Sequence, residues 1–263
     1  MASRNVILIQ LRNPVGKEEP LPVLRVFDDV RMLRLKRAFF EDTLCQAAAV
    51  GNTEIKIAIA PPSRVVWAKD AIASLAARYP DTKAYQSLAA RTEIIGQAVA
   101  PIAKRTTDNL HRCFEAGYRN VVLMSGFVPT VSTDLLSGAL TYLNNHPIIL
   151  GPTIEGGCYL VGLRSDYPEA AALISIGMDT SYKDSTEALS KAGLTWQEID
   201  LCYDVTHQED LEFIVREINH HRFLGDEETA KCTEAVLSEF MSEGDGKSAK
   251  FGAGSHRASS DES

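Results

Sequence analysis

Short apolar runs that alternate with helical stretches limit the fold of this chain more than any other sequence feature. Val6–Leu11 and Asn120–Met124 are almost continuously apolar, and Glu54–Ala60 alternates in polarity. Such runs are typical of strands in a parallel sheet that is covered on both faces. Residues with helical spacing separate them, for example at 31–50 and 132–145. The alternation predicts an α/β domain with a mostly parallel sheet between two helical layers.

One stretch, Gly151–Gly162, interrupts this alternation because two short apolar runs follow each other almost directly (Pro147–Leu150 and Cys158–Leu163). The chain between them carries Glu155 and two adjacent glycines, Gly156 and Gly157. Glycine lets the backbone bend sharply or approach a ligand closely. The pattern therefore indicates either a simple hairpin turn or a ligand site at the mouth of the sheet, where open α/β sheets bind their ligands.

Composition narrows the class of protein. The chain has 263 residues, 45% of them hydrophobic, and a net charge of −8. An acidic chain is poorly suited to nucleic acid, and no apolar run reaches the ~20 residues of a membrane span or has the form of a signal sequence. Five scattered cysteines without a Cys-x-x-Cys pair indicate reduced thiols in a cytoplasmic protein. We expect one domain over residues 1–243 and a disordered, Gly/Ser-rich tail over 244–263.

Four segments resemble one bacterial family. Gly-Pro-Thr-Ile-Glu-Gly-Gly-Cys-Tyr-Leu-Val-Gly, which begins at Gly151, is similar to its Gly-Pro-x-x-Asp-Gly-Gly-Tyr-Tyr-Leu-x-Gly signature. The segments Arg37–Leu44, Val121–Pro129 and Cys202–Leu211 are similar to its other motifs. The family is that of the radical-SAM/selenodomain-associated glycosyltransferases, which have the GT-A nucleotide-diphosphosugar transferase fold. The resemblance covers roughly residues 5 to 220 and implies a three-layer sandwich around a mostly parallel mixed sheet.

The resemblance also implies a function and a set of site residues. The chain is expected to move a sugar from a nucleotide-diphosphosugar to a small acceptor in biosynthesis. Asp204 and Glu155 are the expected catalytic residues, and Asp204 with His207 the expected metal ligands. The nucleotide is expected to contact Leu11, Arg12, Gly16, Lys17, Gln97, Ser125 and Gly126. The acceptor is expected against Glu155, Gly156 and Gly157.

Departures from the family pattern leave two alternatives open. Phe127 stands where the family has an aspartate that helps to hold a divalent cation, and a phenyl ring cannot ligate Mg²⁺ or Mn²⁺. Glu18 and Glu19 stand near the position of a Lys-Thr-Arg triplet, where acids would repel a diphosphate. One alternative is a non-catalytic partner or binding subunit in a biosynthetic complex. The other is a nucleotidyltransferase.

Overall fold

A seven-stranded mixed sheet forms the centre of the protein. The computed structural model describes residues 4–13, 28–177, 180–203 and 208–244. The strands are β1 (Asn5–Arg12), β2 (Thr53–Ala60), β3 (Thr92–Gly96), β4 (Asn120–Ser125), β5 (Ile148–Pro152), β6 (Cys158–Arg164) and β7 (Gln197–Glu198). Their order in the sheet is β3-β2-β1-β4-β6-β5-β7, and β6 runs antiparallel to both of its neighbours. All other pairs are parallel. The predicted mostly parallel sheet is confirmed.

Helices cover both faces of the sheet. The α-helices of the described residues are α1 (Asp29–Ala49), α2 (Val65–Arg78), α3 (Lys83–Gln86), α4 (Leu88–Arg91), α5 (Ile102–Glu115), α6 (Thr133–Tyr142), α7 (Tyr182–Lys191), α8 (Gln208–Phe223) and α9 (Lys231–Gly244). Helices α1, α2 and α6 pack on one face, where Leu44, Ile72 and Leu136 are buried. Helices α5 and α7 pack on the other, where Leu110 and Leu189 are buried. The result is the expected three-layer sandwich. In the part of the chain that the structure describes, no helix has both the length and the hydropathy that crossing a bilayer requires.

Two further helices, α8 and α9, lie outside α1 and enclose a third apolar cluster. Leu35 and Phe39 of α1 meet Ile214 and Ile218 of α8 and Phe240 of α9 in this cluster. An amphipathic helix buries the one side that carries its apolar residues. The apolar sides of α8 and α9 therefore cover the face of α1 that the sheet does not cover. The sequence predicts a last helix from Asp226 to Met241 that packs on the outside of the domain, and this packing is confirmed.

The last helix begins later than the predicted Asp226. One oxygen of Asp226 accepts hydrogen bonds from the backbone N–H groups of Glu228 and Thr229, at 2.9 and 3.0 Å, so the aspartate forms a turn instead. Helix α9 starts at Lys231 and reaches Gly244, one residue into the predicted tail. The rest of that tail, 245–263, lies outside the described residues.

Two boundaries can be compared with what the sequence predicts. The sequence predicts that Gly51 follows the end of α1, and the structure confirms this, with Val50 as the C-cap and the positive φ, 52°, at Asn52. The sequence also predicts a strand over Glu198–Tyr203, but β7 ends at Glu198. Glu198 pairs with Leu150, and Cys202 pairs with Thr153. Cys202 is four residues after Glu198, whereas Thr153 is only three residues after Leu150. The extra residue on the β7 side interrupts the regular ladder of hydrogen bonds. The carbonyl of Asp200 instead accepts a hydrogen bond from the hydroxyl of Tyr159.

Candidate functional site

The carboxyl ends of the parallel strands meet at one edge of the sheet. Strands β1, β3 and β4 end there at Arg12, Gly96 and Ser125. The turn between β5 and β6 lies at the same edge because β5 runs in the same direction as β4. The structure thereby places along one edge of the sheet the predicted residues Arg12, Gln97, Ser125, Gly126, Glu155, Gly156 and Gly157. The predicted residues Gly16, Lys17, Asp204 and His207 lie outside the described residues.

Gly126 is required by the close approach of β4 to β1. Its N–H donates a hydrogen bond to the carbonyl of Gln10 at 3.2 Å. A Cβ at this position would lie 2.2 Å from Cδ2 of Leu11. Leu11 is itself fully buried, and its carbonyl accepts a hydrogen bond from Nη1 of Arg105 at 3.0 Å. Packing therefore explains both Leu11 and Gly126, and Leu11 does not expose its side chain to a ligand.

The segment after β4 follows helix α1. The Ser125 hydroxyl accepts a hydrogen bond from the N–H of Phe127 at 3.4 Å, and the N–H of Val128 donates to the Thr43 hydroxyl at the same distance. The half-buried Phe127 ring packs against the third apolar cluster, which includes Leu35 and Ile214. The position that the resemblance assigns to a cation ligand therefore belongs to the hydrophobic core between α1 and α8.

A buried amide network lies below the edge. The amide nitrogen of Asn109 donates a hydrogen bond to Oε1 of Gln10 at 2.6 Å, and Nε2 of Gln97 donates to Oδ1 of Asn109 at 2.5 Å. All three side chains are buried. The network ties β1, α5 and the end of β3 together, so Gln97 is oriented by protein contacts. Gln10 and Asn109 were not predicted; the signal for Gln10 was its position as the polar residue inside an apolar strand.

The turn between β5 and β6 is closed by its own backbone. The N–H of Gly156 donates to the carbonyl of Thr153 at 3.0 Å, and the N–H of Thr153 donates to the carbonyl of Gly157 at 2.9 Å. This pattern is that of a three-residue hairpin loop whose last residue is left-handed, and Gly156 has φ +89°. No atom lies within 4 Å of where a Cβ on Gly156 would be. The turn geometry alone therefore explains Gly156.

Glu155 lies at the tip of this turn, and the turn does not explain its side chain. The residue is half-buried, and its oxygen Oε2 is buried with no hydrogen-bond partner among the residues that the structure describes. A buried acceptor without a partner costs about 1–3 kcal/mol, and more when it is charged. Hydrogen bonds among the described residues therefore do not account for this carboxylate, and the accessible part of its half-buried side chain is a candidate contact for a ligand at the strand edge.

The described residues do not fit a divalent cation. Within the described ranges, no three histidine, cysteine, aspartate or glutamate side chains are grouped closely enough to hold one. Phe127 packs into an apolar cluster, and Cys158 beside the glycines is buried. Burial raises the pKa of the Cys158 thiol to about 12, so this thiol is neither a ready ligand nor a nucleophile.

The solved structures that share this fold include two kinds of transferase. A "putative nucleotide-diphospho-sugar transferase" from Desulfovibrio desulfuricans G20 matches with a TM-score of 0.69 at 22% identity, over 91% of this chain and 96% of that chain. The 4-diphosphocytidyl-2C-methyl-D-erythritol synthase from Anaerococcus prevotii DSM 20548 matches with a TM-score of 0.51 at 12% identity, over 82% of this chain and 96% of that chain. A cytidylyltransferase from Leptospira borgpetersenii serovar Hardjo-bovis (strain JB197) matches with a TM-score of 0.50 at 13% identity, over 91% and 96%.

These likenesses confirm the nucleotide-diphosphosugar transferase-like fold. At identities of 22% and below, they show a shared fold and not a shared activity. No protein of curated function matches the sequence. The family described as "Uncharacterized protein conserved in bacteria (DUF2064)" matches residues 43–180, which is more than half of the 263 residues. The match includes helix α1 from Thr43 onward, strands β2 to β6 and the Glu155 turn. The chain therefore belongs to the bacterial family DUF2064.

Proposed function

We propose that this protein transfers a glycosyl group from a nucleotide-diphosphosugar to a small acceptor. The observation that carries the proposal is the buried oxygen of Glu155, which lacks a partner among the described residues at the edge where the strands end. The fold shared with nucleotide-diphosphosugar transferase-like proteins supports the choice of donor. The motif resemblance to the radical-SAM/selenodomain-associated glycosyltransferases supports the choice of reaction.

In this reaction an acceptor hydroxyl attacks the anomeric carbon of the sugar. The bond between that carbon and the diphosphate oxygen breaks, and the nucleoside diphosphate leaves with the bonding electrons. Glu155 accepts a hydrogen bond from the acceptor and orients it, while Asp204 takes the hydroxyl proton. Arg12, at the end of β1, and Lys17 offset the charge of the leaving diphosphate. The amide network behind β1 fixes the strand end that carries Arg12.

The test is turnover with a panel of nucleotide sugars and acceptors, with release of nucleoside diphosphate as the readout. Glu155→Gln keeps the shape of the side chain but removes its charge. Misplacing a reacting group by about 1 Å can lower the rate on the order of 10²-fold. We expect such a fall in acceptor-dependent kcat with nucleotide-sugar affinity unchanged. Glu187→Gln, on the exposed side of α7, is the matched control and is expected to behave like the unmutated protein.

A nucleotidyltransferase is the second candidate, because the fold is shared with cytidylyltransferases. The two reactions differ in their products. A nucleotidyltransferase mixed with a nucleoside triphosphate and an acceptor releases pyrophosphate, whereas a glycosyltransferase releases nucleoside diphosphate from a sugar donor. Pyrophosphate release that depends on acceptor would replace the first proposal by the second.

The third candidate is a binding subunit without catalysis. The Phe127 ring favours it, because the ring packs in an apolar cluster at the position of the expected cation ligand. Thermal shifts with nucleotide sugars measure binding without turnover, since a ligand raises apparent stability by mass action. Clear stabilisation combined with no product from any donor and acceptor pair would identify a binding subunit.

A further inference from the structure

A second concave site lies between α6, α8 and the segment that follows β7. Its volume is about 460 Å³, within the range of small-molecule sites in proteins. Gly138 of α6 and Ser132, which caps that helix, form one wall, and Glu217 of α8 forms another. Cys202 closes it toward the Glu155 turn, because Cys202 pairs with Thr153. The cleft therefore adjoins the candidate active site without including Glu155.

Three tyrosines line the cleft, and two of them are held in place by the protein. The Tyr159 hydroxyl donates to the carbonyl of Asp200 at 2.9 Å. The ring of Tyr203 stacks on Phe213 with centroids 4.7 Å apart and planes within 10°. Tyr142 is 46% exposed at the far end of α6. The exposed ring of Tyr142 and the half-buried ring of Tyr203 provide contact area for a ligand and attract cations, whereas Tyr159 is only 1% exposed and holds Asp200 in place.

Gly138 leaves open space on the α6 wall of the cleft. Glycine inside a helix costs about 1 kcal/mol relative to alanine, and it is usually retained where a neighbour packs too closely for a side chain. That reason does not apply here, because a Cβ on Gly138 would meet only the ring of Tyr142, at 4.0 Å. The glycine therefore lowers the stability of α6 without relieving a steric clash. The missing side chain leaves space in the cleft.

The charge of the lining selects the class of ligand. Asp134, Glu198, Asp200 and Glu217 line the cleft, and no lysine or arginine does so among its described residues. None of these four carboxylates forms a salt bridge with another described residue, although Glu198 accepts a hydrogen bond from the Tyr182 hydroxyl. His221, also in the lining, is 3.1 Å from Asp226. Such a lining repels a diphosphate and attracts a cation.

The arrangement does not suit a metal ion. The described carboxylates are spread along the cleft and nowhere form a group of three ligands. Dispersed carboxylates beside aromatic faces match a charge carried on an organic body. We propose that this cleft binds a small organic cation, an amine with an aromatic or aliphatic body. This inference does not rest on the proposed glycosyl transfer.

Calorimetric titration with two amines and one neutral control compound tests the proposal. Tryptamine is an aromatic amine of suitable size, tryptophol is its neutral isostere, and spermidine is an aliphatic polyamine. We expect tryptamine to bind at least tenfold more tightly than tryptophol at low ionic strength. The double variant Asp134→Asn, Glu217→Gln is expected to weaken amine binding at least tenfold. Glu212→Gln, on an exposed position of the same helix α8, is the matched control and should leave the affinity unchanged.

Gly138→Leu provides a steric test that does not depend on charge. The longer side chain extends into the cleft, and replacing a helical glycine is expected to keep or raise the melting temperature. We therefore expect amine binding to disappear in a protein that is at least as stable as the original. Equal affinity for tryptophol, binding that survives Gly138→Leu, equal loss in Glu212→Gln, or no binding of either amine at 10 mM would each overturn the proposal.

Discussion

The carboxyl group of Asp42 provides the sharpest quantitative prediction. Asp42 lies on α1, is fully buried, and accepts hydrogen bonds from the N–H groups of Cys232 and Thr233 at 2.8 Å each. These N–H groups belong to the first turn of α9, so Asp42 caps that helix from a distant part of the chain. Burial raises the pKa of Asp42 from its ordinary 3.8 to about 6, although the hydrogen bonds from Thr233 and Cys232 act in the opposite direction.

The raised pKa fixes the sign and the size of a pH effect on stability. The folded protein binds the Asp42 proton more tightly than the unfolded chain does, so this group stabilises the fold most below about pH 4. The contribution is lost as the pH rises toward and past 6. A difference of about two pKa units corresponds to about 3 kcal/mol in the free energy of unfolding.

Urea unfolding between pH 4 and pH 7.5 measures this contribution when the protein is compared with Asp42→Asn. The variant cannot titrate at this position, and it loses one of the two acceptor oxygens. We expect the stability advantage of the unmutated protein over Asp42→Asn to fall by about 3 kcal/mol across the range. Asp81→Asn, at an exposed position, is the matched control for the loss of a carboxylate. A pH-independent difference for Asp42→Asn, or one that grows with pH, would refute the reasoning.

Two substitutions test the β4 end of the site. Gly126→Ala places a methyl group 2.2 Å from the buried Leu11 side chain, and we expect it to lower the free energy of unfolding by about 1–3 kcal/mol. The control is Gly51→Ala, where the site has open space and no positive φ. In the same urea titration it should change the free energy of unfolding by less than about 0.5 kcal/mol. Phe127→Asp removes a half-buried ring from the third apolar cluster and should cost about 2–3 kcal/mol. If Phe127 occupies a former ligand position, the variant should also gain Mn²⁺-dependent binding of nucleoside diphosphate in calorimetry; tight metal-dependent binding by the unmutated protein would contradict that interpretation.

Most of the sheet could be predicted because its signals are local. Val6–Leu11 and Asn120–Met124 are apolar on both faces, as central parallel strands require. The end of strand β7 could not be predicted, because it depends on a hydrogen bond from the Tyr159 hydroxyl to the carbonyl of Asp200. The two residues are 41 positions apart in the sequence. The start of α9 was missed because Asp226 forms a turn and the distant Asp42 caps the helix.

The candidate site was predictable only where it depends on short motifs. The Glu155 turn follows from its glycines and was found directly in the sequence. The amide network was not found, because Gln10, Gln97 and Asn109 satisfy one another only after three separate elements come together. Phe127 was recognised as a departure from a motif, but its contact with α8 arises from tertiary packing that no local pattern encodes.

The packing of Phe127 also determines how the candidate site is held. On one side, the β4 end is fixed by the apolar cluster between α1 and α8. On the other, the turn is fixed by the N–H of Tyr182 donating to the carbonyl of Gly156 at 2.7 Å and by the N–H of Ile154 donating to the carbonyl of Cys202 at 3.3 Å. Both sides are therefore held by contacts within the protein. Binding to these two sides, which are already ordered, avoids the entropic cost of ordering them. A ligand should then raise the melting temperature while the far-ultraviolet circular dichroism of the folded protein stays unchanged, whereas a site assembled by its ligand would gain ordered structure on binding.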